Sequence, residues 1–334
     1  MCAADVGGKY TATLSGDCDD AKAVVNPFVA DICGNSVDDN CDGKTDETCN
    51  AVGCGADGVA CGSGKGACSS GHCMYTDAKG YKWTLVPAGT FWMGCNAAVD
   101  AECDPNESPQ HLVDMSPYWV GVYEVTASNY KGCVDGLGAG CTVPGGGTYA
   151  TWNVGGKEQH PVNYVNWAQS QSYCKWLGGD LPTEAQWEKA ARGGCELYGG
   201  EICAASEPKY PWGNAAPVCG QNAVFAVAPG TCGAASSTYA VGAGSAQGAS
   251  PYGAYDMAGN IDEWTLDWYN SVFYGKPEAT VKDAVNAAGV SYRVLRGASY
   301  ASGLSSLRSG YRYYYDPTFS AGHVFGLRCA KPFP

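Results

Sequence analysis

Nineteen cysteines in 334 residues constrain this chain more than any other feature of its sequence. In a reducing compartment so many thiols would need to be metal ligands, and zinc sites are typically built from C-x-x-C pairs or Cys/His clusters. The sequence contains no C-x-x-C and only four histidines. Disulfide bonds are therefore the better interpretation, and they predict a protein outside the cytoplasm, either secreted or at the cell surface.

The odd number of cysteines leaves one over, and Cys2 lies far from the others. A cysteine directly after a removed signal is typical of a bacterial lipoprotein, so one prediction for Cys2 is a lipid anchor. The alternative is an unpaired thiol. Because no secretory signal precedes Cys2, we expect the numbering to begin near the mature terminus.

Charge and hydropathy argue against two classes of partner. The chain has 33 acidic and 20 basic residues, a formal net charge of −13. A surface of that sign repels the phosphates of nucleic acids, so we expect no nucleic-acid partner. No stretch approaches the ~18 consecutive apolar residues of a spanning helix, so the sequence predicts no transmembrane segment.

Composition divides the chain into three predicted regions. Residues 1–50 are acidic and lack tryptophan, and residues 51–80 are rich in cysteine and small residues. The second region has no hydrophobic periodicity and would need cross-links to fold. Residues 81–334 contain all ten tryptophans and are predicted to form the main domain.

The acidic region has the oxygen spacing of a calcium loop. Asp38, Asn40 and Asp42 occupy positions 1, 3 and 5, and Gly43 follows at position 6. Asp46 and Glu47 are candidates to close this site. An upstream half-site contributes Asp17, Asp19 and Asp20. The pattern resembles metal-binding repeats of secreted myxobacterial proteins and predicts structural calcium; the alternative is a solvated acidic linker.

The main domain is predicted to be α+β with little regular structure and long loops. Helices are expected at 127–134, at 166–177, and from Thr183, where T-E-A-Q forms a capping box with Gln186. Short strands are expected at 83–87, 118–122 and 292–295.

Eight phrases of the main domain together resemble the formylglycine-generating (sulfatase-modifying) enzyme family. They are V-P-A-G-T-F-W-M-G (86–94), Y-E-V-T (123–126), H-P-V-N-Y-V-N-W (160–167), L-P-T-E-A-Q-W-E-K-A-A-R-G-G (181–194), Y-P-W-G-N (210–214), Y-G-A-Y-D-M-A-G-N-I-D-E-W (252–264), R-V-L-R-G-A-S-Y (293–300) and F-G-L-R-C-A (325–330). They follow the family's order over about 250 residues.

The resemblance implies a C-type-lectin-like α+β fold with bound calcium. It implies a disulfide between Cys174 and Cys329. It further implies calcium ligands at Asn260, Glu263 and the backbone near Ile261, with Asn222 at a second site. For Asn260 and Glu263 the alternative is a turn held by side-chain hydrogen bonds.

The family's chemistry requires two copper-binding cysteines shortly after the R-G-G-S-[WY] phrase. At those positions this sequence has Ser302 and Leu307. Leucine cannot bind a metal, and serine is not the soft ligand that Cu(I) prefers. We therefore expect no copper, no formylglycine-generating oxidase activity and no catalytic residue of that reaction. The histidines also lack the H-x-x-x-H-x-H spacing of the iron-dependent relatives.

The C-terminal part is rich in tyrosine, serine and glycine, a composition typical of recognition surfaces. The candidate ligand-binding residues are Ser299, Ser302, Tyr311, Tyr313, Tyr314, Tyr315, Phe319 and His323. The alternative is that these tyrosines pack the core or line a vestigial pocket. The ligand expected here is a glycan or a protein.

The other cysteines of the main domain suit short local bridges. The predicted pairs are Cys95–Cys103, Cys133–Cys141, Cys195–Cys203 and Cys219–Cys232. Eight cysteines from Cys18 to Cys73 would form four bridges whose connectivity the sequence does not fix. The leading hypothesis is a calcium-loaded ligand-binding protein. An enzyme using other, metal-dependent oxidative chemistry and a self-assembling structural component remain as alternatives.

Overall fold

The computed structural model describes residues 2–4, 10–12, 61, 66–69, 71–198, 203, 208–227, 232, 237–289 and 291–334. These residues belong to two compact units, Met1–Tyr75 with Pro334 and Thr76–Phe333. The predicted N-terminal calcium ligands lie outside the described residues; they are Asp17, Asp19, Asp20, Asp38, Asn40, Asp42, Asp46 and Glu47. Calcium binding in that segment stays a prediction.

The described residues of the smaller unit form two antiparallel strand pairs. Strand β1 (Cys2–Ala4) pairs with β2 (Tyr10–Ala12), and β3 (Ala67–Ser69) pairs with β4 (His72–Thr76). A disulfide joins Cys61 to Cys73 across 5.9 Å between Cα atoms. This bridge fits the expectation that a segment without hydrophobic periodicity needs cross-links.

The larger unit combines short strands with three α-helices in its described residues. Its strands are β5 (Lys82–Val86), β6 (Gly89–Met93), β7 (His111–Met115), β8 (Tyr118–Gly121), β9 (Asp262–Trp268), β10 (Arg293–Arg296), β11 (Tyr313–Tyr315), β12 (Phe325–Gly326) and β13 (Ala330–Pro332). Strands β13, β8 and β5 are adjacent and antiparallel, and β6 pairs with β7. Another sheet has the strand order β11-β10-β9-β12, in which β12 is parallel to β9. The candidate functional site described below lies at this sheet. The predicted α+β class is confirmed.

All three helices begin at a capping box. They are α1 (Ala127–Asp135), α2 (Trp167–Trp176) and α3 (Glu184–Arg192). At α3 the Thr183 hydroxyl accepts from the backbone N–H of Gln186, as its sequence predicts. Helix α3 ends at Gly193, whose φ of +91° favours glycine. Trp187 on α3 is fully buried, so this helix anchors the core.

The core also contains ion pairs between segments that are distant in sequence. Their partners are Arg296 with Glu188, Arg308 with Glu107, Arg312 with Glu184, and Arg328 with Glu263, all buried. Removing one partner of such a pair leaves an uncompensated buried charge. Three of these pairs hold their arginines against α3 or β9, and the fourth joins Arg308 to the turn that contains Glu107.

The disulfides of the larger unit follow the expected pairs. Four of them close short loops, Cys95–Cys103, Cys133–Cys141, Cys195–Cys203 and Cys219–Cys232. The fifth joins Cys174 on α2 to Cys329 across a sequence separation of 155 residues, with 5.3 Å between Cα atoms. Within the described part of the chain, no helix is long and apolar enough to cross a membrane.

Candidate functional site

A cleft of about 390 Å³ opens beside β9, β11 and β12. Its lining comes from β9, from the segment that follows β10, and from the run between Tyr311 and Phe325. The lining residues are Asp262, Ser299, Ala301, Ser302, Ser306, Tyr311, Tyr313, Tyr315, Phe319, Ala321, Gly322, His323, Val324 and Phe325. A volume of this size is in the range of small-molecule sites.

Strand pairing places the floor of the cleft. The first residue of β9, Asp262, lies opposite Phe325 of β12 in the parallel pair. After β10 the chain turns through Gly297 and Ala298, both with positive φ (+95° and +62°). A Cβ at Gly297 would lie 3.1 Å from the Trp187 ring, so this turn also packs closely on α3. The turn brings Ser299 to Asp262.

Asp262 is the only carboxylate among the lining residues, and it is 5% exposed. Its burial, together with the nearby Glu263 charge, raises the pKa of Asp262 to about 7, while a hydrogen bond from Ser299 opposes the rise. The Ser299 and Ser302 hydroxyl oxygens are 3.1 Å apart, and Ser302 Oγ accepts from the Ser299 backbone N–H at 3.0 Å. A chain of polar groups therefore runs from the buried carboxyl into the cleft.

Aromatic rings form the walls. Tyr315 lies against Phe319 and Phe325, with ring centroids 4.8 and 5.0 Å apart. Tyr313, also in the wall, is 37% exposed. His323, which also lines the cleft, has its Nδ1 2.6 Å from the Tyr300 hydroxyl.

Seven of the eight predicted ligand-binding residues line this cleft, and Tyr314 does not. Side chains alternate along β11, so Tyr313 and Tyr315 face the cleft while Tyr314 faces away. The Tyr314 ring stacks on Tyr269 at 3.8 Å between centroids. Asp262 was missed by the sequence reasoning. The available signal was an acidic side chain directly before the glutamate of G-N-I-D-E-W (259–264).

The two positions that carry copper thiolates in the enzymes have different surroundings here. Ser302 lines the cleft, whereas Leu307 is 1% exposed and packs in a cluster with Phe225 and Ala298. A hydroxyl and a core methyl group do not provide the soft ligands of Cu(I). The residues present therefore do not fit the copper centre that the resemblance implies.

The residues assigned to calcium by resemblance have protein partners. Glu263 accepts from Arg328 at 2.8 Å and from Trp187 Nε1 at 2.7 Å. Both carboxylate oxygens of Glu263 therefore already accept hydrogen bonds from the protein. Asn222 Oδ1 accepts from the Val218 N–H at 2.7 Å. Calcium at either site stays a prediction.

A further buried acid, Glu124, holds the Asn260 turn. It accepts from Asn260 Nδ2 at 2.7 Å and from the Ile261 N–H at 3.2 Å. Asn260 Oδ1 accepts from the Tyr239 N–H at 2.9 Å. Burial, together with the nearby charges of Asp256 and Glu263, raises the pKa of Glu124 well above its usual value. Hydrogen bonds from and to its side chain thus hold Asn260, with φ +63°, in its turn, and calcium binding by this residue stays a prediction.

Residues 74–333 match the model of the sulfatase-modifying factor enzyme 1-like domain. The chain belongs to this family. Residues 17–47 match a second model, the metal-binding motif of the Cu-binding MopE type. The name of that model refers to copper, whereas the oxygen-rich sequence of the segment predicts calcium.

Curated relatives of the family-matched region include enzymes of different activities. The formylglycine-generating enzyme of Thermomonospora curvata is 28% identical over 76% of this chain and 93% of its own length. The hercynine oxygenase of Mycolicibacterium smegmatis is 29% identical over 70% of this chain, and the serine/threonine-protein kinase Pkn1 of Chlamydia pneumoniae is 35% identical over 53%. The alignment covers 57% of the oxygenase and 25% of the kinase.

Solved structures show the same fold. PvdO from Pseudomonas aeruginosa aligns with a TM-score of 0.63 at 21% identity, over 78% of this chain and 98% of PvdO. Variable protein 1 of Treponema denticola aligns with a TM-score of 0.53 at 22% identity, over 78% of this chain and 99% of its own. At these identities the similarity establishes the fold of the family and not a shared ligand.

Proposed function

We propose that this protein is an exported member of the family that binds a ligand in the cleft and does not oxidise cysteine. The observation that carries the proposal is the lining of the cleft. Rigid aromatic rings and hydroxyl groups surround one buried carboxyl, and the copper positions hold Ser302 and Leu307. Aromatic walls with a few placed polar groups are typical of ligand sites.

Export and calcium form the second part of the proposal. The larger unit carries five disulfides, and one of them spans 155 residues. Disulfides of this kind persist in oxidising compartments. In the segment 17–47, aspartate and asparagine oxygens alternate with a glycine at the turn position, and hard oxygen ligands favour calcium over copper.

The first experiment tests the chemistry. A Cys-x-Pro-x-Arg peptide is incubated with the purified protein, with and without added copper, and aldehyde is measured by mass spectrometry. The enzyme of Thermomonospora curvata is the positive control. We expect no aldehyde from this protein. Aldehyde formation, or stoichiometric copper or iron in the purified protein, would overturn the non-oxidase proposal and favour the metal-dependent enzyme alternative.

The second experiment tests calcium. Metal content is measured in the wild-type protein and in a variant carrying Asp38→Asn and Asp42→Asn. The matched control is Asp316→Asn, which removes the charge of a carboxylate in the C-terminal part of the chain. We expect the first variant to hold less calcium per molecule than the wild-type protein, and the control to hold the same amount. Equal calcium in all three proteins would contradict the assignment to this segment.

The third experiment tests ligand binding. The protein is screened against a glycan array and a small-molecule fragment set, and hits are repeated with Tyr313→Leu. Tyr314→Leu is the matched control, because these neighbouring rings lie on opposite faces of β11. A hit lost only in Tyr313→Leu supports the cleft. If no hit is weakened by Tyr313→Leu, the binding site lies elsewhere.

A further inference from the structure

The charge of the cleft is unbalanced. Among its lining residues Asp262 is the only acid, and none is lysine or arginine. The basic side chains of the adjoining segment, Arg308 and Arg312, lie in the core, where they pair with Glu107 at 2.6 Å and Glu184 at 2.7 Å. The imidazole of His323 also lines the cleft, with its Nδ1 2.6 Å from the Tyr300 hydroxyl. An anionic ligand would therefore find no permanently charged partner in the lining, whereas a cation would face a carboxyl group.

The walls add a second attraction for a cation. Five aromatic side chains line the cleft, Tyr311, Tyr313, Tyr315, Phe319 and Phe325. The faces of such rings attract ammonium groups, and sets of rings around one pocket are used to recognise alkylammonium ligands. A carboxylate and several rings around the same volume therefore favour the same class of ligand.

We infer that the ligand of the cleft is an organic ammonium cation, with its charged head held between Asp262 and the aromatic wall. This inference rests on the proposed ligand binding and specifies its chemistry. Ser302 and Ser306 also line the cleft, and a serine hydroxyl oxygen can accept from the N–H groups of a primary ammonium. A quaternary ammonium lacks those donors and relies on the rings and the charge alone.

The test measures affinity by calorimetry at pH 8, where a carboxyl group with a pKa of about 7 is mostly ionised, for probes that differ in charge. The cations are n-butylammonium and choline. The controls are 3,3-dimethylbutan-1-ol, which is the neutral isostere of choline, and butyrate. We expect both cations to bind at least about tenfold more tightly than the neutral isostere, because an ionic contact in a partly buried site is worth more than a neutral one. Tighter binding of n-butylammonium than of choline would indicate that the serine oxygens accept hydrogen bonds from the ligand. Tighter binding of choline would indicate that the aromatic rings dominate recognition.

Variants locate the effect. Asp262→Asn keeps the size of the side chain and removes its charge, so the preference for cations should disappear. Asp316→Asn makes the same change at a fully exposed residue outside the cleft lining and should leave the preference intact. Should Asp262→Asn fail to fold, Tyr313→Phe and Tyr313→Leu replace it. The first keeps the ring and the preference, and the second weakens cation binding.

The inference would be overturned if the neutral isostere or butyrate bound as tightly as the two cations. An unchanged preference for cations in Asp262→Asn would also overturn it. Such a result would leave the proposed ligand binding in place, since the cleft would still hold a probe. Failure of all four probes would also overturn the inference. Ligand binding itself is then judged by the array and the fragment screen with the Tyr313 and Tyr314 variants.

Discussion

The bridge between Cys174 and Cys329 should contribute more to stability than any of the short bridges. Both cysteines are completely buried. The bridge connects α2 to the segment that follows β12, and β12 contributes Phe325 to the lining of the cleft. In the loop-entropy model, closing a separation of 155 residues stabilises the fold by about 5 kcal/mol. The same relation gives about 2.5 kcal/mol for Cys133–Cys141, with its separation of 8 residues.

The comparison uses two double variants, Cys174→Ala with Cys329→Ala and Cys133→Ala with Cys141→Ala. Urea unfolding is followed by tryptophan fluorescence, and because all ten tryptophans lie at residue 83 or later, the signal reports the larger unit. We expect the first variant to lose about twice as much free energy of unfolding as the second. An equal loss in the two variants, or a loss below about 2 kcal/mol in the first, would refute the loop-length argument.

Thiol reactivity, ion pairing and pH provide three further checks. In Ser302→Cys the new thiol should react with a maleimide, because Ser302 lines the cleft. In Leu307→Cys the thiol should stay unreactive until the protein unfolds, because Leu307 is 1% exposed. Equal labelling of the two variants, measured by mass spectrometry, would contradict the placement of these residues. Arg328→Met should cost about 3–5 kcal/mol in urea unfolding since it leaves a buried carboxylate unpaired. Lys131→Met breaks an exposed pair and should lower the free energy of unfolding by less than about 0.5 kcal/mol. Similar losses in Arg328→Met and Lys131→Met would refute the argument that burial makes the Arg328–Glu263 pair costly to break. Burial, and the nearby Glu184 charge, raise the pKa of Asp267 to about 7. The folded state therefore keeps a proton that the unfolded state releases, and the free energy of unfolding falls as pH rises from 5 to 8. Asp267→Asn should remove about 2 kcal/mol of that fall, and an unchanged pH profile of stability would contradict the shift.

Local signals allowed the sequence to predict the helices well. The capping residues of α3 are neighbours in the chain, so Thr183 and Gln186 could be recognised without knowledge of the fold. The same holds for the short disulfide loops, whose cysteines are close in sequence. The pair Cys174–Cys329 was accessible only through the resemblance to the family.

The floor of the cleft depends on contacts that a single sequence does not display. Asp262 lines the cleft because β9 pairs with β12, a segment about 60 residues away. The partners of the buried arginines are also remote; Arg308 and Glu107, for example, are 201 residues apart. Alternation along β11 could have separated Tyr314 from its neighbours, but the strand has three residues and no hydrophobic alternation that would reveal it.

The opposed faces of β11 bear on how this cleft can change its specificity. Tyr313 and Tyr315 contact the space where a ligand would lie, while Tyr314 between them stacks on Tyr269 and holds the strand in place. Substitutions of Tyr313 or Tyr315 can therefore change which ligand the cleft binds, while Tyr314, which supports the strand, is left in place. A single-residue insertion or deletion in this strand would exchange the two roles. Diversification of the cleft is thus expected to proceed by substitution at alternate positions, with the length of the strand preserved.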